Sequence, residues 1–374
     1  MTIVSLMKVP SLDLKRQYES IQEEINKAVL EVLASQSFVL GPFVESFEHS
    51  MAKYCHTKHA IGVSSGTDAI LLALMACGVK SGDEVITTPF TFFATAGSIA
   101  RLGAVPVFVD IDRFTYNIDV NKIAPAINKR TKAILPVHLY GQCAEMDAIL
   151  DIARANKLMV IEDAAQAIGS IYKGQNAGTI GNMGCFSFYP SKNLGGYGDG
   201  GLVTTNSSEL AEFIKILRVH GSKPKYYHSH IGINGRLDAI QAAILSVKLK
   251  YLNGWSEKRR LIASYYSEHL KGLPIRLPKI ESYNIHIFHQ YVIATSHRDE
   301  LMKYLGQQGI ETVIYYPLSL HLQKCFEDLG YKKGDFPESE KASNETLALP
   351  IFPEITQKEQ DYVIDHINNF FSRL

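Results

Sequence analysis

The feature that most limits how this sequence can fold is an alternation, between residues 60 and 205, of short apolar runs with amphipathic segments. In the amphipathic segments, apolar residues recur three and four positions apart, which indicates helices. Short apolar strands separated by helices are typical of a mostly parallel sheet with helices on both faces. The sequence therefore predicts an α/β fold with three layers and a seven-stranded sheet formed by Ala60–Val63, Glu84–Thr88, Val105–Val109, Ala133–Val137, Met159–Ile161, Gly184–Phe188 and Leu202–Thr204.

The segments on either side of this region have a different character. Residues 1–59 have a helical pattern and are predicted to form an N-terminal arm that covers another surface. A smaller α+β region follows the long helical patterns after residue 206, and a chain of 374 residues exceeds the usual size of one domain. We therefore predict an arm and a large domain over residues 1–255 and a small domain over residues 256–374. Its strands are expected at His289–Ala294 and Glu311–Ile314, and its helices at Arg298–Gln308 and Lys358–Phe371.

Composition excludes some classes of partner. Lys and Arg together number 38, as do Asp and Glu, so no overall field attracts nucleic acid or an anionic membrane. The longest apolar run, Ala69–Val79, is too short to span a bilayer, and the N-terminus lacks a signal-peptide pattern. We expect a soluble, cytoplasmic protein. The five cysteines include no CxxC pair and are expected to be reduced core thiols, with no metal site.

The stretch CFSFYPSKNLGGYGDGG at residues 185–201 places one lysine, Lys192, after an apolar run and within a group of glycines. A lysine that leaves a buried strand can be partly desolvated, which lowers its pKa and allows it to form a Schiff base. Glycines allow the backbone to approach a ligand closely. An exposed lysine in a glycine-rich loop would explain this stretch equally well.

Three other strand ends carry unusual residues. Ser64–Thr67 precede a helix, where they could bind a phosphate or simply cap the helix. The aromatic residues of Pro89–Phe93 could stack on a flat ring or pack in the core. Asp163 follows a buried strand and requires a partner, which could be a protonated pyridine nitrogen, a helix N-terminus or Mg²⁺.

These four features are expected at one edge of the sheet, because ligands of such sheets bind at the carboxyl ends of the strands. A lysine, a carboxylate, a phosphate-binding turn and an aromatic side chain are together the groups that pyridoxal phosphate requires. The sequence therefore predicts pyridoxal 5'-phosphate as the cofactor.

The chain resembles the DegT/DnrJ/EryC1/StrS family of nucleotide-sugar aminotransferases, which have the fold type I of aspartate aminotransferase. The resemblance covers nearly the whole chain. It is carried by SSGTDA at 64–69, TPFTFFAT at 88–95, HLYGQ at 138–142, IEDAAQAIG at 161–169, SFYPSKNLGGYGDGG at 187–201, GINGRLDAIQAA at 232–243 and YYPLSLHLQ at 315–323.

The resemblance implies a role for each matching residue. Lys192 would bond to the cofactor and carry the proton during catalysis, and Asp163 would pair with the pyridine nitrogen. The other implied cofactor contacts are Gln166 at the ring hydroxyl, Phe92 on the ring face, and Gly66, Thr67 and Ser187 at the phosphate. Asn234 and Arg236 match a loop that reaches into the neighbouring subunit, which implies a homodimer with shared active sites.

Substrate contacts are less well defined by the sequence. A nucleotide-linked sugar carries a diphosphate, which calls for local cations and hydroxyl groups. The candidates are His220, Lys223, Tyr227 and Arg236 near the loop, and Tyr316, His321 and Gln323 in the small domain. His321 lies between two leucines, so a packed histidine bonded to the backbone is an equally valid interpretation.

The resemblance implies transfer of an amino group from L-glutamate to a keto group of a nucleotide-linked sugar. We expect C-3 in preference to C-4, dTDP or UDP as the nucleotide, and a role in amino-sugar biosynthesis for surface polysaccharide or glycoside. The alternatives are a dehydratase of the same family, in which histidine replaces the lysine, and a non-catalytic regulator. A Rossmann-type dehydrogenase is disfavoured because the first strand is not followed by GxGxxG.

Overall fold

The structure is a computed structural model that describes residues 7–374. Its strands are β1 (His59–Val63), β2 (Glu84–Thr87), β3 (Val105–Phe108), β4 (Thr131–Ile134), β5 (Met159–Asp163), β6 (Ile171–Tyr172), β7 (Gln175–Asn176), β8 (Met183–Ser187), β9 (Gly201–Thr205), β10 (Asn284–Ile285), β11 (Tyr291–Ala294) and β12 (Thr346–Leu349). Its helices are α1 (Leu14–Ser35), α2 (Pro42–Cys55), α3 (Gly66–Ala76), α4 (Phe93–Arg101), α5 (Ile123–Ala126), α6 (Met146–Asn156), α7 (Ser208–Leu217), α8 (Ala239–Leu249), α9 (Leu252–His269), α10 (Arg298–Gln307), α11 (Pro337–Glu345) and α12 (Gln357–Phe371).

The central sheet has seven strands in the order β1-β9-β8-β5-β4-β2-β3. The pairs from β8 to β3 are parallel, and β9 is antiparallel to both of its neighbours. Each of the seven apolar runs between residues 60 and 205 contributes one strand to this sheet. The expected α/β fold with a mostly parallel sheet is confirmed.

Successive residues of the strands point to opposite faces of the sheet, and each face is covered by helices. Ile86 packs with α2, α6 and α8 in one apolar core, whereas its neighbour Val85 packs with α3, α4 and α7 in another. Phe186 and Cys185 of β8 are divided between the two cores in the same way. The strands are therefore rich in apolar residues on both faces because both faces are buried, and this gives the three layers.

The helical pattern predicted over residues 1–59 corresponds to α1 and α2, and its residues 1–6 lie outside the described part of the chain. Asp13 caps α1 by accepting a hydrogen bond from Lys15 N at 3.0 Å. Ile21 and Ile25 of α1 pack with Ile244 and Trp255, so the arm covers the outer side of α8 and α9. No helix of residues 7–374 has both the length and the apolar character needed to cross a bilayer.

The C-terminal part has a separate apolar core between α9, α10, α12 and the antiparallel pair β11 and β12, and Val9 of the N-terminal segment joins this core. The strand predicted at Glu311–Ile314 is wrong, because only Val313 pairs there, in an isolated bridge to Ala348. The strand partner of β11 is instead β12. We propose that the division between the two domains lies near residue 255, within α9.

Candidate active site

A cavity of about 490 Å³, called the cleft below, lies where β5 and β8 end and where α3 and α4 begin. The packing of parallel strands brings distant parts of the sequence to this edge of the sheet. Eight of the residues predicted from the sequence line the cleft: Gly66, Thr67, Phe92, Asp163, Gln166, Ser187, Lys192 and Tyr316.

Lys192 lies in the turn that follows β8. Its backbone N–H donates to the carbonyl of Tyr189 at 2.8 Å, and Gly196 N donates to the carbonyl of Phe188 at 2.7 Å, so the turn is held against the end of the strand. Burial lowers the pKa of the Lys192 amine to about 8, although the charge of Asp163 acts in the opposite direction. A substantial fraction of the amine is therefore neutral near pH 8, as a nucleophile or base must be.

Asp163, the last residue of β5, is 5% exposed. It accepts hydrogen bonds from Thr95 Oγ1 at 2.7 Å and from Ala165 N at 3.2 Å. The hydroxyl of Thr91 lies 3.0 Å from Thr95 Oγ1 and must be the donor there, because the Thr95 hydrogen is directed to Asp163. Burial raises the pKa of Asp163, and no salt bridge within 4.0 Å neutralises this carboxylate in the described part of the chain. The Asp163 carboxylate can therefore pair with a cationic group of a ligand bound in the cleft.

The neighbouring carboxylate of Glu162, on the other face of β5, is fully buried and already satisfied. It accepts from the backbone N–H groups of Gly178, Ile180 and Gly181 at 2.8, 2.7 and 2.6 Å. His138 Nε2 is 2.8 Å from the same carboxylate, and His138 Nδ1 accepts from Ala144 N, so the imidazole donates from Nε2. Glu162 and His138 thus fix the end of β5, and of these two carboxylates only Asp163 lines the cleft.

Residues at the beginning of α3 also line the cleft. Ser65 caps the helix by accepting from Asp68 N at 3.0 Å. The N–H groups of Gly66 and Thr67, in the first turn, have no acceptor within the helix and lie at the positive end of its dipole. A Cβ atom at Gly66 would come within 2.6 Å of Ser187 Cβ, so only glycine lets β8 approach this turn. The arrangement suits a phosphate.

Aromatic side chains form a further wall. Phe92, which precedes α4, is 57% exposed, and its ring centroid lies 6.1 Å from that of Tyr316. Gln166 Nε2 donates to the Tyr316 hydroxyl at 3.0 Å, and Gln166 Oε1 accepts from Tyr140 N at 2.8 Å. A flat ring in the cleft would cover the exposed face of Phe92.

Seven of the predicted site residues do not line the cleft of this chain: His220, Lys223, Tyr227, Asn234, Arg236, His321 and Gln323. His220 and Asn234 are exposed on the loop of residues 219–235, and Arg236 forms a backbone bridge with Val63 at the base of that loop. His321 is buried, and its Nε2 lies 3.2 Å from Glu340 Oε1. His321 thus packs within the small domain, and its contact with a substrate stays a prediction.

The sequence-based prediction missed several residues of the site. Tyr189, Asp199, His289, Gln290 and Tyr315 line the cleft. Thr95, in the first turn of α4, supports Asp163, and its place within the TPFTFFAT segment was the available signal. His289 and Gln290 precede β11, and nothing in their sequence positions indicates a site. Among residues 7–374, no three His, Cys, Asp or Glu side chains are grouped to hold a metal ion.

Comparison with known proteins decides the family. The sequence model of the DegT/DnrJ/EryC1/StrS aminotransferase family matches residues 19–368. The chain belongs to this family. The resemblance inferred from the sequence motifs is therefore confirmed, and residues of five of the seven motifs line the cleft.

The relatives within this family have names of two kinds. The chain is 54% identical to the pleiotropic regulatory protein of Geobacillus stearothermophilus, over 98% of this chain and 99% of the relative. It is 44% identical to the dTDP-3-amino-3,6-dideoxy-alpha-D-galactopyranose transaminase of Aneurinibacillus thermoaerophilus, over 97% and 99%. The X-ray structure of S. venezuelae DesV in complex with a ketimine intermediate matches with a TM-score of 0.96 at 41% identity, over 98% of this chain and 99% of that chain.

Proposed function

We propose that this protein is a pyridoxal-phosphate-dependent aminotransferase that transfers the amino group of L-glutamate to a keto group of a nucleotide-linked sugar. The observation that carries the proposal is the cleft itself, which brings together the Lys192 amine, the Asp163 carboxylate and the N-terminus of α3. The family to which the chain belongs is an aminotransferase family.

The residues of the cleft fit the cofactor. Asp163 is a buried carboxylate without a cationic partner among the described residues, which a protonated ring nitrogen would supply. The first turn of α3, with Ser187, provides N–H and hydroxyl donors for the phosphate. Lys192 provides an amine whose pKa is lowered to about 8. Phe92 offers an exposed ring face, and Gln166 offers an amide that would bond to the ring hydroxyl.

When bound, the cofactor carries the amino group between the two half-reactions and draws electrons from the carbon atom that loses or gains a proton. The chain performs the remaining work. Lys192 Nζ removes this proton and returns it, and its lowered pKa matches that task near pH 8. Asp163 keeps a positive charge on the ring nitrogen, and Thr95 and Ala165 hold the carboxylate in place.

The charge of the cleft supports a homodimer with shared sites. Lys192 is the single cation among the lining residues, together with the anions Asp163 and Asp199. A cofactor phosphate, a glutamate with two carboxylates and a nucleotide diphosphate bring far more negative charge than one lysine can balance. The exposed loop of residues 219–235 carries Lys223, Lys225 and three histidines. We infer that two parts of this chain complete the cleft of a second copy. They are the loop itself, which includes Asn234, and Arg236 at its base.

For the substrate we propose amination at C-3 of a nucleotide-linked hexose. The name of the Aneurinibacillus relative, a dTDP-3-amino sugar transaminase, supports C-3. The product would serve amino-sugar biosynthesis, for surface polysaccharide or glycoside. Tyr316 lines the cleft, which supports its proposed role as a substrate contact.

The proposal is tested by incubating the purified protein with pyridoxal phosphate, L-glutamate and each of four substrates, the 3-keto and 4-keto hexoses linked to dTDP or UDP. Formation of 2-oxoglutarate is followed together with the mass of the aminated sugar. We expect turnover with a 3-keto sugar. Absence of 2-oxoglutarate with all four sugars, from protein that has bound the cofactor, would contradict the proposal.

A regulatory role is the second candidate, because the relative at 54% identity is named a pleiotropic regulatory protein. The dehydratase alternative is disfavoured because the cleft carries Lys192 and not histidine. Cofactor binding without amino transfer from any donor would favour the regulator. Bleaching of the cofactor absorbance by L-glutamate would favour the enzyme.

A further inference from the structure

Asp110 is a buried carboxylate of the large domain that does not line the cleft. It lies two residues after β3, in the segment VDIDRF, and is 3% exposed. Lys122 Nζ lies 3.7 Å from Asp110 Oδ2, but it is half exposed and also lies 3.6 Å from Asp119 Oδ2. A buried carboxylate is costly unless it accepts hydrogen bonds, so the donors around Asp110 indicate what it does.

The donors come mainly from the beginning of α11, in the small domain. Asp110 Oδ2 accepts from Glu338 N at 3.0 Å, and Oδ1 accepts from Ser339 N at 2.9 Å and from Ser339 Oγ at 2.6 Å. The residue before α11 is Phe336, whose side chain cannot cap the helix. Asp110 therefore takes the place of the missing cap, and its negative charge lies at the positive end of the helix dipole.

A chain of buried serines connects this cap to the wall of the cleft. Ser343 Oγ donates to the carbonyl of Ser339 at 3.2 Å, and Ser319 Oγ lies 3.0 Å from Ser343 Oγ. Because the hydroxyl hydrogen of Ser343 is directed to Ser339, Ser319 must be the donor of the second hydrogen bond. Ser319 follows Tyr316 by three residues, so hydrogen bonds link Asp110 to the segment that carries this cleft residue.

Apolar contacts join the same elements. Ala342 of α11 belongs to one apolar cluster with Ile111, the residue that follows Asp110. Tyr315 and Tyr316, which line the cleft, pack against this cluster. The helix α11 therefore supports these two aromatic side chains from behind, and a displacement of α11 would be transmitted to them.

The neighbouring carboxylate of Asp112 has a similar set of donors but a local role. Its Oδ1 accepts from Phe114 N at 3.0 Å, from Thr115 N at 2.8 Å and from Thr115 Oγ1 at 3.0 Å. These donors lie in the turn that Asp112 itself begins. Of two aspartates two positions apart, one thus stabilises its own turn, and the other, Asp110, binds a helix of the other domain.

We propose that Asp110 is a positioning residue of the cleft: its carboxylate caps α11 from the large domain and thereby holds the Tyr315–Tyr316 wall in place. Asp110 touches neither the cavity nor the side chains that line it by hydrogen bonds, so it acts through α11. The effect on substrate binding, through Tyr316, rests on the proposed function. The effect on α11 and the wall does not.

Hydrogen exchange of the intact protein, measured by mass spectrometry without cofactor or substrate, tests the structural role. Asp110→Asn keeps the shape of the side chain but directs an amide NH₂ group at a backbone donor, so the cap is lost. The amides of α11 and of residues 315–323 should exchange about tenfold faster than in wild type, and those of β8 at the wild-type rate. Unchanged exchange of α11 would contradict the proposal.

Asp112→Asn is the matched control, because it removes the same kind of hydrogen bonds from a turn of the large domain. It should speed exchange at residues 113–117 and leave α11 at the wild-type rate. If α11 exchanged equally fast in the two asparagine variants, the effect would be a general loss of stability, and the proposal would be overturned.

Ser343→Ala tests the second step and does not depend on how well Asp110→Asn folds. This variant keeps the cap of α11 but removes the hydroxyl that accepts from Ser319. Residues 315–323 should then exchange several-fold faster, whereas the first turn of α11 keeps its wild-type exchange. Wild-type exchange of residues 315–323 would show that α11 does not hold the wall, against the proposal.

The effect on the cleft is measured by steady-state kinetics with the keto sugar. Asp110→Asn should raise KM about tenfold and leave kcat within about threefold of wild type, because a displaced wall weakens binding of ground state and transition state alike. Asp112→Asn should leave both values unchanged. An unchanged KM in Asp110→Asn would refute the role in the cleft. Absence of turnover in wild type would contradict the proposed function and leave the exchange results unaffected.

Discussion

The structure contains two buried lysines whose amines have nearly the same acidity but very different surroundings. Burial lowers the pKa of Lys192 and of Lys248 to about 8 in each case. Lys192 lines a cleft that also contains a carboxylate and the beginning of α3. Lys248, on α8, is 1% exposed, and its Nζ has no hydrogen-bond partner in the described chain.

The surroundings of Lys248 are aromatic. Its Nζ lies 5.0 Å from the ring centroid of Tyr197 and 5.9 Å from that of Trp255. Gln241, two turns earlier on α8, accepts from Tyr197 N at 2.8 Å. One side of α8 thus holds the glycine-rich turn that follows Lys192, through a cation–π contact and a hydrogen bond.

The comparison indicates that a pKa lowered by desolvation is not enough to identify a catalytic lysine. The two amines have similar pKa values. Of the two, only Lys192 lines a cavity that admits a ligand and that contains a carboxylate, Asp163, to pair with a positive charge of the ligand. A perturbed pKa identifies a candidate, and the site around it decides the function. The following variants test this difference between the two lysines.

The largest effect is expected from Lys192→Ala. Removal of the amine removes both the bond to the cofactor and the group that moves the proton, so kcat should fall by about 10⁴-fold or more. Turnover is measured as 2-oxoglutarate formation. Borohydride reduction should attach the cofactor to the peptide of residue 192 in wild type and in a Lys248 variant, but not in Lys192→Ala. An alanine variant with wild-type turnover would remove the basis of the comparison.

Asp163→Asn should have the next largest effect. The amide has nearly the same shape but no charge, so it cannot stabilise a protonated ring nitrogen, and kcat should fall by about 10²- to 10³-fold. The phosphate site of α3 is unchanged, so cofactor should still bind, which equilibrium dialysis would measure. Unchanged kcat in Asp163→Asn would mean that the carboxylate does not distinguish the surroundings of Lys192 from those of Lys248.

Much of this site could be predicted from the sequence, because parallel strands bring their carboxyl ends together whatever lies between them. Asp163 and Ser187 are the last residues of strands, and Gly66 begins a helix, so periodicity alone placed them at one edge. The sheet was predictable for the same reason, since burial on both faces gives each strand a continuous apolar run.

The residues that could not be predicted depend on packing between distant segments. His289 reaches the cleft only because the small domain packs against the turn of Asn193. The predicted strand at Glu311–Ile314 does not form, because Val313 is its only residue that pairs with another strand. The strand β12 was missed, although its residues Leu347 and Leu349 are buried in the core of the small domain. Lys248 gave no signal, because a lysine in a helical pattern is normally exposed.

Thr95→Val should have a moderate effect through Asp163. The variant loses the hydroxyl that donates to the carboxylate at 2.7 Å. That hydrogen bond lowers the pKa of Asp163, so its loss should raise this pKa and move the acid limb of the pH–activity profile to higher pH. At pH 7 kcat should fall by about fivefold to tenfold. Thr95→Ser keeps the hydroxyl and should retain the wild-type profile, whereas an unshifted profile in the valine variant would exclude a role for this hydrogen bond.

Lys248→Met should have the smallest effect on turnover, within about threefold of wild type, because methionine fills a similar volume and the cleft is unchanged.

The effect of Lys248→Met on stability should be visible instead. The pKa of Lys248 is about 8 in the folded protein and has an ordinary value of 10.5, so between these values the unfolded chain binds more protons and the free energy of unfolding rises with pH. At pH 7 the buried, charged lysine therefore destabilises the wild type, by up to about 3 kcal/mol. The methionine variant should lack this destabilisation and should be at least as stable as wild type at pH 7. Urea unfolding at pH 7 and pH 10 measures both values. A loss of turnover above tenfold would show that the contact of Lys248 with Tyr197 supports the catalytic turn, and the two lysines would then belong to one functional unit.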